Sequence, residues 1–330
     1  MYHKRWIIIL LLLLSFSIIV SGCGIIQKKS EDMPTEQDAP ELEEQETQEE
    51  DEDTRETVLF YQDHSGYLVP VMRRIKWEEG IARAALTKLI DSPEHQQELL
   101  GMGLKPLLPA NTQIRGISIE DGLAKVDFNI AAMEYPAAVA ESNMVQGVVM
   151  TLVEFPTLDR VEFMFDDEIV DSLKHGTKVG SPIEPEKINL ELSQDSMENG
   201  AAVTVFFHNT SPSNYEYLVP VTRITSSSFA TIETAIEELI KGPKENGSLH
   251  LDIPSNTKLL GVQMDEGITH INFSKEFNEL KDSESQDIVL RAITMTAKEF
   301  PEVSMVRILV EGKEFESDAL LATPVFANEY

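Results

Sequence analysis

Tyr67-Leu68-Val69-Pro70-Val71 recurs letter for letter as Tyr217-Leu218-Val219-Pro220-Val221, 150 residues further along the chain. The block is apolar and rich in valine, which reads as a strand. Its proline has no N–H for a ladder, which puts that strand at a sheet edge. More matches follow in order. Arg74-Ile75 returns as Arg223-Ile224 after one dropped residue, and Ala85, Leu89-Ile90 and Pro93 return as Ala235, Leu239-Ile240 and Pro243. Pro109-Ala110-Asn111-Thr112 matches Pro254-Ser255-Asn256-Thr257 at a spacing of 145, so the first copy holds about five extra residues between Glu94 and Leu107. Gly116, Gly122 and Phe128 match Gly261, Gly267 and Phe273, and Glu154-Phe155-Pro156 matches Glu299-Phe300-Pro301. A period this long indicates two complete tandem domains rather than a solenoid.

Each copy predicts the same elements. Val58–Tyr61 and Val203–Phe207 are β-branched and aromatic strands. Ile232, Ala235, Ile236, Leu239 and Ile240 fall on one helix face, as do Ile81, Ala84, Ala85 and Leu89, and Pro93 and Pro243 block continuation. Asp121-Gly122 and Glu266-Gly267 each sit between two strand signals as hairpin turns. A second helix carries Met144, Val145, Val148, Val149 and Leu152, or Ile288, Val289, Ala292, Ile293 and Phe300 in the later copy. A last strand holds Val161 and Phe163, or Val306, Ile308 and Val310. The order β-β-α-β-β-α-β gives an α+β fold, with helices on one face of a mostly antiparallel sheet. The first domain spans 57–183, a linker 184–200 and the second domain 201–330, each long enough for its own core.

The N-terminus carries Lys4 and Arg5, an uncharged apolar run from Trp6 to Val20, then Val20-Ser21-Gly22-Cys23. This resembles a bacterial lipoprotein signal over residues 1–22, with cleavage between Gly22 and Cys23 and a lipid such as palmitate on Cys23. An uncleaved membrane anchor with an incidental cysteine is the alternative. The run is short of the ~20 residues that span a bilayer comfortably. Acyl chains gain ~0.8 kcal/mol per buried methylene, and two or more hold a protein stably to a membrane.

Cys23 is the only cysteine, so the folded part has no intramolecular disulfide and no cysteine-based metal site. Hydrophobic residues make up 42 % of the chain, as in globular proteins. The formal net charge of −30 argues against nucleic acid and anionic lipid headgroups as partners, since both call for a basic face. Between Glu31 and Glu56 stand 14 acids against one base, Arg55. Residues 23–56 therefore read as the lipidated cysteine and a disordered acidic tether. A binding tail for a basic partner or divalent cations is the alternative.

The strand proline, the Leu-Ile-x-x-Pro helix end, the Pro-x-Asn-Thr turn, the glycine hairpin and Glu-Phe-Pro, all present twice, resemble the GerMN domain. Two such domains behind a lipoprotein signal resemble the sporulation and spore germination lipoproteins of Bacillus-type spore formers. The resemblance covers essentially the whole chain. It implies a non-enzymatic envelope protein, anchored on the extracytoplasmic face of the mother cell membrane opposite the forespore. It further implies protein partners in the sporulation envelope machinery.

Motifs for chemistry are sparse. The chain lacks a nucleophile elbow, a His-Glu-x-x-His metal motif, a phosphate loop and a dinucleotide fingerprint. No cofactor, metal or catalytic residue is assigned. His64, His95, His175, His208, His250 and His270 lack histidine counterparts across the repeat and read as scattered surface residues. Glu154 and Glu299 recur at helix ends, where the dipole disfavours an acid. Ion pairs with the recurring bases Arg74 and Arg223 are the expected explanation. Asn111-Thr112 and Asn256-Thr257 are expected to serve turns. Three function classes remain: a lipid-anchored scaffold, a ligand- or wall-binding lipoprotein, and an envelope hydrolase using Glu154 or Glu299. An exposed edge or apolar patch would mark the first, an aromatic-lined cleft between the domains the second, and paired carboxylates across a groove the third.

Overall fold

A computed structural model describes residues 54–76, 80–191, 200–243, 247–317 and 326–330. The signal, Cys23 and nearly all of the acidic segment lie outside them. The first copy runs β1 (Thr54–Gln62), β2 (Leu68–Lys76), α1 (Ile81–Thr87), α2 (Pro93–Leu100), β3 (Ile114–Glu120), β4 (Leu123–Phe128), α3 (Ala138–Val153) and β5 (Arg160–Phe165). The second runs β6 (Ala202–Thr210), β7 (Glu216–Ile224), α4 (Ile232–Ile240), β8 (Leu259–Asp265), β9 (Ile268–Phe273), α5 (Ser283–Lys298), β10 (Met305–Val310) and β11 (Lys313–Glu314).

The strands of each copy divide into an antiparallel ribbon, β1–β2 or β6–β7, and a separate sheet, β3-β4-β5 or β8-β9-β10-β11. Within the sheets only β4–β5 and β9–β10 are parallel, because a helical crossover joins their strands. The hairpins turn where expected: Asp121 and Gly122 have φ of 48° and 76°, and Glu266 and Gly267 have 47° and 81°. Both central residues are left-handed, which suits a tight two-residue turn and favours glycine at the second place.

Two details differ from the sequence reading. Pro93 does not merely stop α1; it opens an extra helix, α2, whose Ser92 cap accepts from the His95 N–H at 3.1 Å. Proline suits the first helical turn, where its missing N–H costs nothing. The extra residues of the first copy thus lie in and beside a helix. The repeat alignment also shifts. In the ladders Pro70 faces Phe60 and Pro220 faces Phe206, while Arg73 faces Thr57 and Arg223 faces Val203. Arg73, not Arg74, is the counterpart of Arg223, and no residue is dropped within the strand.

Apolar burial joins the copies. Leu59, Val71, Phe128 and Phe163 of the first belong to one contiguous cluster with Val205, Val221, Phe273 and Ile293 of the second. The outer edges of β2 and β7 meet in a reciprocal clasp. The Asn189 side chain accepts from the Leu68 N–H at 2.9 Å and donates to the carbonyls of Leu68 and Pro220, both at 2.8 Å. Asn328 repeats this: it accepts from the Leu218 N–H at 2.7 Å and donates to the carbonyls of Leu218 and Pro70 at 2.8 Å. The segment behind the first copy also pairs with β7, Glu191 N–H to Thr222 carbonyl at 2.9 Å, and the C-terminus pairs with β2, Met72 N–H to Asn328 carbonyl at 2.8 Å. The edge strands inferred from proline are real, but each is closed by the tail of the other copy.

Candidate functional site

Beside the clasp lies a buried carboxyl that the sequence reading passed over. Asp63, 1 % exposed, begins the β1–β2 turn. Its Oδ1 accepts from the N–H groups of Ser65 and Tyr67 at 2.9 and 2.8 Å; its Oδ2 accepts from Asn209 Nδ2 and the Tyr217 hydroxyl at 2.8 and 2.9 Å. Two donors come from each copy, so Asp63 fixes a turn and an interface together. Burial, then the Asp63 charge, pushes the Tyr217 phenol above its ordinary range, which keeps it a donor. Ser211 occupies the matching turn of the second copy, and its Oγ accepts from the N–H groups of Ser213 and Tyr215 at 3.2 and 3.1 Å.

The recurring arginines anchor the tails. Arg223, its side chain 9 % exposed, donates from Nε to Glu191 at 2.7 Å and from Nη1 and Nη2 to the Glu238 and Gly242 carbonyls at 2.9 and 2.8 Å. Those carbonyls close the C-terminus of α4, where a cation is favoured. Arg73 meets Glu98 of α2 at 3.1 Å, and its guanidinium carbon lies 4.9 Å from the Tyr330 ring centre. Lys88 shares Glu98 at 2.9 Å. Arg74 is exposed and meets Glu56 at 3.4 Å.

The expected pairing of Glu154 and Glu299 with Arg74 and Arg223 is therefore replaced, because strand register turns those arginines toward Glu56 and Glu191. Glu299 instead feels the Glu154 charge. Both keep exposed surface, yet protein crowds them: burial raises Glu154, and burial followed by the Glu154 charge pushes Glu299 up to about 7.

The histidines are not all surface residues. His208 is 5 % exposed, and its backbone pairs with that of His250. The two rings lie 4.3 Å apart between centroids at 63°. Burial first, and the His250 charge second, hold the His208 imidazole down at about 4. Its Nε2 is buried without a hydrogen bond, 3.7 Å from Glu216 Oε1, at a hollow of about 140 Å³ that Asp252 and Glu284 also line. His95 is buried with Nδ1 2.7 Å from the Ile90 carbonyl, and His175 has Nε2 2.9 Å from the Tyr135 carbonyl. His64 stays exposed. Among the described residues no three His, Cys, Asp or Glu side chains are arranged to hold a metal ion. Asn111 and Asn256 adopt φ of 69° and 67°, and Thr257 Oγ1 donates to the Pro254 carbonyl at 2.6 Å, as a turn requires.

A cleft of about 460 Å³ opens on the first copy between α1, β3 and the Phe155-Pro156 loop. Ile81, Ile117, Ile119, Phe155 and Leu158 form its walls, with Arg55 and Arg83 among the lining residues. The Arg55 guanidinium carbon lies 5.2 Å from the Phe155 ring centre, and Arg83 donates to the Ile114 carbonyl.

These features define a duplicated α+β module whose two copies are stapled edge to edge by their own tails. The family described as "Germane: Sporulation and spore germination" matches residues 58–171 and 204–316, and the chain belongs to it. The chain is 28 % identical to "Spore germination protein GerM" of Bacillus subtilis (strain 168), with 91 % of this chain and 89 % of that protein covered. The solved structure of the tandem GerMN domains of the sporulation protein GerM from Bacillus subtilis superposes with a TM-score of 0.72 at 27 % identity. It covers 84 % of this chain and 99 % of that one. Among the described residues no helix is long and apolar enough to cross a membrane.

Proposed function

We propose that this protein is a non-enzymatic scaffold of the sporulation envelope, acting in sporulation and spore germination. A lipid on Cys23 holds it to the extracytoplasmic face of the mother cell membrane, and it assembles with protein partners across the space facing the forespore. One observation carries the reading: the copies are locked into one body through Asn189 and Asn328, at the inter-copy position where a ligand-binding protein would open a cleft. The similarity to GerM over most of both chains supplies the setting.

The anchor is tested by Cys23→Ala, which should abolish lipid labelling and leave the precursor uncut; normal maturation of that variant sinks the anchor. A hydrolase is the second reading, and the raised Glu154 and Glu299 carboxyls favour it. Replacing both by Gln separates the two readings. A folded, correctly localised double variant should sporulate at the parental frequency if the protein is a scaffold, and fail if the carboxyls do chemistry.

A further inference from the structure

The cleft on the first copy lies beside an open sheet edge. β3 stands last in the order β3-β4-β5, and among the described residues no strand pairs with its outer edge. Such an edge offers backbone donors and acceptors in the spacing an extended chain needs. Ile117 and Ile119, two apart on β3, face the same side and form one cleft wall; Ile119 is 51 % exposed. The cleft falls within the ~300–1,000 Å³ of ligand-sized sites. Arg55 and Arg83 add positive charge to it, in a chain whose net charge is −30. The second copy lacks these cations. By the ladder registers and the helix repeat, Ala201 replaces Arg55 and Glu233 replaces Arg83.

We propose that the outer edge of β3 and the adjoining cleft receive an extended acidic segment of a partner protein. The segment adds as a strand, apolar side chains at alternate positions enter the cleft, and flanking carboxylates meet Arg83 and Arg55. This rests on the scaffold reading and names its docking surface. Charge selects the occupant: Arg55 and Arg83 favour carboxylates and would repel a basic segment. The rival occupant is the chain's own acidic stretch, residues 31–53, which enters β1 at Thr54, one residue before Arg55.

The test uses the mature chain without its lipid and a labelled peptide, EEITIEE, against KKITIKK. EEITIEE should bind, slow amide exchange over residues 114–120 and leave 259–265 unchanged. Arg83→Glu should weaken binding at least ~tenfold, and Arg55→Ala with Arg83→Glu should abolish it, with melting temperatures confirming that both variants fold. Ile119→Lys should also weaken it, by placing a charge at the cleft wall. Equal binding of KKITIKK, protection at 259–265, or no binding by either peptide overturns the proposal. Binding that emerges only after deletion of 31–53 also overturns it, in favour of the chain's own segment. Each of these failures leaves the lipid-labelling and sporulation tests of the scaffold reading standing.

Discussion

At the β7 edge the incoming tail is held by Arg223 through an ion pair with Glu191; at the β2 edge Arg73 holds the other tail by lying over the Tyr330 ring. The two arginines occupy the same ladder position, and the two asparagines beside them make the same three bonds. What stayed constant is what the backbone demands. Where the two edges meet, one strand presents the N–H and carbonyl of its leucine and the other the carbonyl of its proline, and a single primary amide satisfies all three. The contact further along the tail had only to be favourable to a guanidinium. A carboxylate does that by charge and an aromatic face by its quadrupole.

The clasp can be broken from either side, with unequal results. Asn328 is 2 % exposed, so Asn328→Ala leaves the Leu218 N–H and two carbonyls without partners and without water. A loss of about 3–4 kcal/mol is expected, a fall in melting temperature of roughly 6–8 °C. Asn189 is half-buried, and water can replace part of its amide, so Asn189→Ala should cost about 1–2 kcal/mol. Thermal unfolding of both variants measures the difference. A larger loss at Asn189 would show that the two edges are not equivalent in energy.

The arginines give a graded series of smaller effects. Arg223→Met strands Glu191 and opens the C-terminus of α4, at about 2–3 kcal/mol. Arg73→Met costs less, about 1–2 kcal/mol, because Lys88 still neutralises Glu98. Arg74→Ala should cost below ~0.5 kcal/mol, since its pair with Glu56 is exposed on both sides. Denaturation midpoints in urea rank the three. An Arg74 effect matching that of Arg223 would restore the alignment with a dropped residue.

How much of this was legible depended on whether a residue answered to its neighbours in sequence. The repeat, the helix faces, the glycine hairpins and the edge placement of Pro70 and Pro220 follow from period and local sterics. The Arg73 register was hidden because Arg73-Arg74-Ile75 offers two arginines to one Arg223-Ile224, and identity prefers the dipeptide to the position. The Pro93 helix was hidden because proline both ends and begins helices. Asp63, Asn189 and Asn328 gave no signal at all. Each has a partner 110 or more residues away, as with Asp63–Tyr217, Asn189–Leu68 and Asn328–Leu218, and a lone Asp or Asn looks like a turn. His208 and His250 were set aside for lacking histidine counterparts. The fold nevertheless pairs them, as it pairs Gln62 with Lys105 in the first copy.

Glu299 and His208 give the second copy its own pH response, smaller than the effects above because Glu299 keeps exposed surface and water screens it. Glu299 is pushed up to about 7, so between roughly pH 4.5 and 7 the folded state binds more protons than the unfolded one. Stability should rise as pH falls through 7. His208 is held down at about 4, so between roughly pH 6.5 and 4 the folded state binds fewer protons, and stability should fall with pH there. The groups facing His208 set the acid limb: Asp252 raises its proton affinity, while His250 and Arg291 lower it. Glu216, 3.7 Å away, stands ready to pair with the imidazolium once it forms. Melting temperatures across pH 4–8 should peak near pH 6 to 6.5. Glu299→Gln should flatten the upper limb, and His208→Gln, which installs the residue found at position 62, should flatten the lower one. An acid limb unchanged in His208→Gln would assign the loss of stability to other groups, among them Glu98 and Glu141 of the first copy, whose carboxyls are held below their ordinary range.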